Sequence, residues 1–423
     1  QMVATPRIAS ALRRAGTSAA PLIARPPEGP PSAGLPLNVV SDRSLGDAGV
    51  VPPTKGEQDS IPTSFYRDAS GVLPLNKGLT PLLTKTEFQA LLDARAQHRA
   101  TCTISPDLGM SQQTAELYEE GFGWNSRRMV RWDSVEKVVD KPGCYLVQGG
   151  DGDWSWTLEK VSLFSDTTNR AASLLPTDDG PPTAVLGGFS MHRFGKGVNP
   201  LEDTRRKLLP LGPLLHRNVR SLDVCTGLGY TAIAAAQAGA DVTTIELDPT
   251  MQELCALNPW SQGLYKDPTG PRVTQLMGDA TEVIKTLPSD EYQVVVHDPP
   301  TSSLGGALFS REFYKELLRV LKPGGILYHY IGDPDSKSGG RDTAAVGKRL
   351  KEAGFRMVIG APMAHGLVAA PEKMPKAVLT LANRRPAGQP KQRRVPKHGL
   401  QWEQQLQREK ELWVEEWGSS DGE

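Results

Sequence analysis

Leu222-Asp223-Val224-Cys225-Thr226-Gly227-Leu228-Gly229-Tyr230-Thr231 decides the fold. An apolar run ends, two glycines follow, and a helical pattern opens at Tyr230. This is a strand, a tight turn and a helix. Without side chains, Gly227 and Gly229 let a ligand press against backbone N–H groups at a helix start. With Ala232 the run also satisfies G-x-G-x-x-A, the dinucleotide fingerprint, so alone it selects no ligand. Asp223, four residues ahead of Gly227, does discriminate: a carboxylate there repels a pyrophosphate.

Outward from this turn, strands and helices alternate. Residues 219–225, 241–246, 272–277, 292–297 and 325–330 read as strands, and 230–237, 249–257 and 311–321 as helices. Residues 355–359 and 376–382 are expected to close the sheet. Such alternation predicts a mostly parallel sheet covered on both faces. Ligands of such sheets bind outside the carboxyl ends of the strands.

Chemistry-bearing residues fall at those ends. Glu246, nineteen residues past Gly227, can accept both hydroxyls of a ribose. The alternative for it is a solvated strand-end acid. Asp279, in Gly278-Asp279-Ala280, can take an adenine amino group. The fourth strand ends His297-Asp298-Pro299-Pro300-Thr301, which a nicotinamide enzyme does not need. Asp223 can reach the amino-acid end of S-adenosylmethionine. The segment 313–325 ends in Lys322-Pro323-Gly324-Gly325 and reads as packing that supports the site.

These blocks, in this order and spacing, resemble the class I S-adenosylmethionine-dependent methyltransferase superfamily. More narrowly, Gly187-Gly188-Phe189-Ser190-Met191-His192-Arg193, Asp203-Thr204-Arg205-Arg206-Lys207, Cys225–Thr231, Asn258-Pro259-Trp260-Ser261 and His297–Pro300 are similar to a group of predicted methyltransferases best represented in archaea. The resemblance spans residues 100–383. It implies an α/β, Rossmann-like fold, a central mostly parallel sheet with helices on both faces, preceded by a small β-rich domain. It also implies S-adenosylmethionine as cofactor, held by Asp223, Thr226, Gly227, Gly229, Tyr230, Glu246, Asp279 and Asp298.

Enzymes that methylate exocyclic amines or amide nitrogens often carry [Asn/Asp]-Pro-Pro-[Tyr/Phe] at the fourth strand. Asp298, Pro299 and Pro300 match, while Thr301 replaces the aromatic. Asp-Pro-Pro-Thr is similar to some ribosomal-RNA methyltransferases, which keeps an RNA amine among the acceptors beside proteins and small molecules. Stacking would then come from Tyr328, Tyr330 or Tyr230, with His329 as a further substrate contact. Asp298 is the first catalytic candidate, to position or deprotonate the acceptor, and His297 the second, to shuttle the proton. A strand-end histidine is as often simply hydrogen-bonded to a neighbouring loop. Met191, His192 and Arg193 fall where such folds place a lid. Asp203 and Lys207, four apart on a helix, read as a surface ion pair.

Three other readings compete, of which a nicotinamide-dependent oxidoreductase comes last because it leaves Asp223 and Asp298-Pro299-Pro300 unexplained. An aminopropyltransferase shares this fold and uses decarboxylated S-adenosylmethionine, but residues 301–306 lack the acids that would bind polyamine ammonium groups. A non-catalytic platform is the remaining one, against which the intact Asp223, Gly227, Gly229, Glu246 and Asp298 argue.

The remaining chain sets boundaries: 1–64 a targeting or linker segment, 65–190 the β-rich domain, 191–383 the methyltransferase domain, and 384–423 a basic linker and helix. Phe88, Leu91, Leu92 and Ala96 predict one helix face in the β-rich part. Residues 100–104, 144–148, 156–164 and 183–189 predict strands there. Residues 1–27 hold Arg7, Arg13, Arg14 and Arg25 and no acid, which fits a plastid or mitochondrial transit peptide. The alternative is an ordinary tail on a cytoplasmic protein. Trp402, Leu406, Trp413 and Trp417 repeat at helical spacing, a stripe to dock on this chain or on a partner.

Lys+Arg and Asp+Glu both count 48, so any basic footprint for nucleic acid must be local. The four cysteines form no C-x-x-C pair, which supports neither a zinc site nor a disulfide framework. No apolar run is long enough for a membrane span.

Overall fold

Upstream of the glycine turn, short apolar runs are punctuated by Gly, Asp and Ser, and two sheets rich in antiparallel pairs form from them. This computed structural model describes residues 80–124, 129–149, 155–195, 197–265, 273–301, 304–333, 336 and 339–385. The targeting segment and the tryptophan stripe lie outside them.

The first sheet has seven strands: β1 (Leu82–Leu83), β2 (Thr101–Ile104), β3 (Gln113–Leu117), β4 (Gly121–Gly123), β5 (Met129–Arg131), β6 (Tyr145–Gly149) and β7 (Ser155–Lys160). Helix α1 (Lys85–Ala96) starts at a Thr84–Glu87 capping box and buries Phe88, Leu91 and Ala94. Ala96, expected on that face, is exposed instead. Helix α2 (Trp132–Glu136) adds Trp132 and Val135 to the same core. A second sheet pairs β8 (Ser162–Ser165), β9 (Arg170–Leu175), β10 (Thr183–Leu186) and β11 (Phe189–Ser190). The expected strand at 156–164 is therefore two strands of different sheets, divided at the buried Val161. Strands β3, β4 and β5 escaped the sequence reading because three to five residues, partly Gly or polar, show no period; pairing partners decide them.

After α3 (Pro200–Leu208) comes the third sheet: β12 (Arg220–Val224), β13 (Asp241–Glu246), β14 (Val273–Met277), β15 (Tyr292–His297), β16 (Leu321–Tyr330), β17 (Met357–Ala361) and β18 (Gly366–Ala370). Its order is β14-β13-β12-β15-β16-β18-β17. Neighbours from β14 to β16 are parallel, whereas β18 runs antiparallel to both β16 and β17. A dinucleotide-binding sheet of the doubly wound kind has the order 3-2-1-4-5-6. The reversed strand between β16 and β17 departs from it.

One correction concerns this edge. Residues 376–382 form a helix, and Gly366–Ala370 supplies the closing strand. Val378 and Ala382, four apart, are both buried, which is a helical spacing in a run too short to show it clearly.

Side chains alternate across the sheet with period two. Val294, Val296, Ile326 and Tyr328 meet α4 (Tyr230–Gln237), α5 (Pro249–Leu257) and α9 (Lys376–Ala382). Leu222, Val224, Val295 and Leu327 meet α6 (Ala280–Thr286), α7 (Arg311–Val320) and α8 (Gly339–Ala353). Ala172, Leu174 and Ala184 of the second sheet share the first of these cores, and the described residues up to Asn383 belong to one compact unit.

Candidate active site

The glycine turn stands at the carboxyl end of β12. Gly227 has φ +55° and Gly229 φ +77°. A Cβ on Gly227 would meet only Met191 Sδ, at 3.8 Å, so open ground lies above this backbone. Gly227 donates its N–H to Glu246 Oε2 at 2.9 Å, and Asp248 N–H reaches Oε1 at 3.0 Å. Burial pushes the Glu246 carboxyl up, opposed by these backbone donors. The turn, Glu246 and the exposed Asp279 at the start of α6 thus line consecutive strand ends. Asp279 Oδ1 accepts the Thr281 N–H and hydroxyl, both at 2.8 Å. Leu247 and Met277 leave apolar side chains exposed beside Glu246.

Asp223 is buried beneath the turn. Its oxygens accept the hydroxyls of Thr231 at 2.8 Å and Thr244 at 2.7 Å, and Thr226 is tied to Thr244 at 2.6 Å. Burial pushes its pKa up to about 7, against the pull of both hydroxyls. Asp223 and Thr226 therefore brace the turn from below. Tyr230 is likewise in the core: its hydroxyl donates to Pro182 O at 2.8 Å and accepts from Asn258 Nδ2 at 2.9 Å, and its ring lies 4.9 Å from His192. The expectation that it lines the ligand pocket is corrected by this packing. Asn258, which sequence reading left without a role, also donates to Ser261 Oγ at 2.8 Å.

Asp298 follows β15, with its side chain 18% exposed, and its Oδ2 accepts from Lys207 Nζ at 2.6 Å. Lys207 also meets Asp203 Oδ2 at 3.0 Å and lies 4.6 Å from the ring centroid of Tyr330. Arg193 is hydrogen-bonded to Asp203 from the opposite side. The side chains of Asp203 and Lys207 are 0% and 2% exposed, which corrects the reading of a surface pair. Three polar residues of α3, Asp203, Thr204 and Lys207, share a buried face with the neighbouring Leu208, and a charge at helical spacing cannot show which way that face turns. Burial opposes both charges. Lys207 and Arg193 nonetheless hold Asp203 at about 2, and Asp298 and Asp203 carry Lys207 well above its ordinary value. Burial raises Asp298, partly offset by Lys207.

His297 is on the other face of the sheet. It is fully buried, its Nε2 is 3.0 Å from Leu308 O, and its ring packs on Phe313 at 5.3 Å and His329 at 4.4 Å. This arrangement corrects its assignment as a proton shuttle: it is bonded to the neighbouring loop. His329 is buried beside it, 2.9 Å from Tyr314 Oη, and so leaves the substrate side as well. Tyr328 is in the core, donating to Ala364 O at 2.6 Å. Of the expected substrate contacts, Tyr330 is half-buried over Lys207, Pro299 is buried and Pro300 is exposed.

Burial brings the His297 pKa down to about 4. An unfolded histidine titrates near ~6.5. Below that pH the unfolded chain takes a proton that the folded one refuses, so this residue's share of stability declines as pH falls from 6.5 towards 4. Urea unfolding at pH 7 and pH 5 should show the wild type losing about 2 kcal/mol more than His297→Gln. Equal losses would mean that the folded ring accepts the proton.

Among the described residues no group of three or more His, Cys, Asp and Glu could hold a metal ion, and no helix is long and apolar enough to cross a membrane.

Residues 222–329 match the model of a methyltransferase domain. An uncharacterized protein of Methanocaldococcus jannaschii is 41% identical over 242 residues, 57% of this chain and 78% of that protein. Polyamine aminopropyltransferase 2 of Streptomyces coelicolor is 32% identical over 146 residues, 34% of this chain and 26% of its own length. Release factor glutamine methyltransferase of Caulobacter vibrioides is 35% identical over 115 residues, 26% of this chain and 39% of its own length. The glycine turn, the acids at successive strand ends and the reversed last strand meet in one sheet, and the methyltransferase-domain match spans most of it. With the archaeal relative, this chain belongs to the class I S-adenosylmethionine-dependent methyltransferase superfamily.

Proposed function

We propose that the protein is an S-adenosylmethionine-dependent methyltransferase acting on a nitrogen acceptor, with an amine of RNA among the candidates. The observation that carries this reading is the pairing of Glu246, bonded to the Gly227 N–H, with Asp298 across β12 at the end of the next strand. The residues fit the cofactor: Gly227 has open space above it, and a ribose can exchange its hydroxyls for the backbone donors on Glu246. Asp279 is exposed for an adenine amine, and Leu247 and Met277 leave apolar surface for its ring.

When bound, the cofactor supplies a methyl group on a sulfonium. The chain's own task is alignment. Lys207 occupies Oδ2 of Asp298, so Oδ1 remains to accept an N–H of the acceptor and turn its lone pair towards the methyl. Pro299 and Pro300 hold the backbone after Asp298 rigid. With Lys207 on it, Asp298 serves better as a hydrogen-bond acceptor than as a strong base. The likeness to a release factor glutamine methyltransferase adds a protein side chain to the candidate acceptors.

Aminopropyl transfer is the second reading, supported by the likeness to a polyamine aminopropyltransferase. Calorimetric titration with adenosylhomocysteine, S-adenosylmethionine and its decarboxylated form separates the two. Binding of the first two supports methyl transfer, and preference for the third moves the assignment to aminopropyl transfer. Glu246→Ala should weaken adenosylhomocysteine about 30-fold, the equivalent of about 2 kcal/mol for two charge-assisted hydrogen bonds. Unchanged affinity in that variant would remove the ribose from Glu246.

A further inference from the structure

The buried charges around Asp298 count to zero: Arg193 and Lys207 against Asp203 and Asp298. They are not equally placed. Asp298 is partly exposed at the strand end, whereas the side chains of Asp203 and Lys207 are sealed. A ligand therefore meets Asp298, and Lys207 acts through it.

The position of this group along the ligand follows from the sheet. With Glu246 at the end of β13 taking the ribose, the other end of the ligand crosses β12 towards β15. There the Asp298 N–H bonds Val224 O at 3.2 Å, which joins the two strand ends. S-adenosylmethionine ends in a sulfonium, an ammonium and a carboxylate. Its decarboxylated form lacks the carboxylate and is one unit more positive. In a water-poor site, one unit of charge on either partner changes attraction strongly.

We propose that Lys207 is a specificity-determining positioning residue: by pairing with Asp298 it cancels the carboxylate's charge, so the pocket takes the amino-acid end of S-adenosylmethionine and disfavours the more cationic decarboxylated end. This rests on the methyltransferase reading above. The same cancellation works against polyammonium acceptors and suits an uncharged amine or amide nitrogen. A pocket built for cations would leave its carboxylate unpaired; here the ammonium of Lys207 is 2.6 Å from it.

Calorimetric titration of the full chain and of Lys207→Met with S-adenosylmethionine and its decarboxylated form tests this. The wild type should prefer S-adenosylmethionine. In Lys207→Met the ratio of the two dissociation constants should move about tenfold towards the decarboxylated ligand, a change that loosened packing would not produce. If that variant does not fold, as judged by its circular dichroism melt, Asp298→Asn reads the same coupling with opposite sign: the Lys207 charge is then unopposed on that side, and the ratio should move about tenfold towards S-adenosylmethionine. An unchanged ratio in the variant that folds, with the wild type preferring S-adenosylmethionine, overturns the role of Lys207 and leaves the methyltransferase reading standing. A wild type that prefers the decarboxylated form, or binds neither, overturns both.

Discussion

Asp203→Ala should destabilise the protein by about 3–5 kcal/mol, the loss typical of removing one partner from a buried ion pair. Asp203 lies between Arg193 and Lys207, with its side chain 0% exposed. Its removal leaves Lys207 with Asp298 and the Tyr330 ring, and takes the carboxylate from Arg193, which among the described residues keeps its bond to Met363 O at 3.4 Å. Lys207, on α3 with its side chain 2% exposed, cannot turn to water without unpacking that helix. Arg206→Ala is the internal control. It breaks the pair with Glu202 on the same helix, where both side chains are 20% or more exposed, and should cost less than about 1 kcal/mol. Urea unfolding at pH 7 measures both. Equal small losses would show that water reaches the Asp203 cluster. The pH dependence gives a second check. Asp203 is held at about 2, below an unfolded carboxyl, so its contribution is complete above pH 4 and is lost as pH falls towards 2.

The second large effect is expected at Gly229. Its φ of +77° lies in the left-handed region, and a Cβ there would come within 2.5 Å of Leu264 Cδ1 and 2.7 Å of Cγ. Leu264 is itself buried and packed into the core, so it has little room to yield. Gly229→Ala should therefore cost about 2–4 kcal/mol from overpacking and backbone strain together. It should also weaken adenosylhomocysteine binding, since Gly229 begins α4 and its N–H closes the turn on Thr226 O at 2.8 Å. Adding Leu264→Ala separates the two causes. The double variant should be less destabilised than the sum of the single ones, because the collision is gone while the left-handed strain remains. Additive losses would show that strain dominates.

Much of the candidate site was legible. Gly227, Glu246, Asp279 and Asp298 were each read from their distance to a strand end, and strand ends are local features with a period of two and a stop. His297 was misjudged for a related reason. A strand places neighbours on opposite faces, so of the adjacent His297 and Asp298 only one could face the ligand, and the pattern of apolar residues around them did not say which. Tyr230 has the same history: the first residue of a helix after a glycine turn can face ligand or core, and the carbonyl of Pro182, 48 positions away, sends it to the core.

Sequence alone determined the parallel order of strand, glycine turn and helix, because hydrophobic period and glycine placement act within a few residues. Tertiary structure decided what depends on contacts between distant segments. It set Gly366–Ala370 antiparallel against β16, where a short apolar run has no direction of its own. It also turned Asp203 and Lys207 inward to Asp298, 91 positions from Lys207. A charged pair four apart looks the same in sequence whether water or another carboxylate covers it. The electrostatic cost of burial, and the partners that offset it, exist only once the sheet has formed.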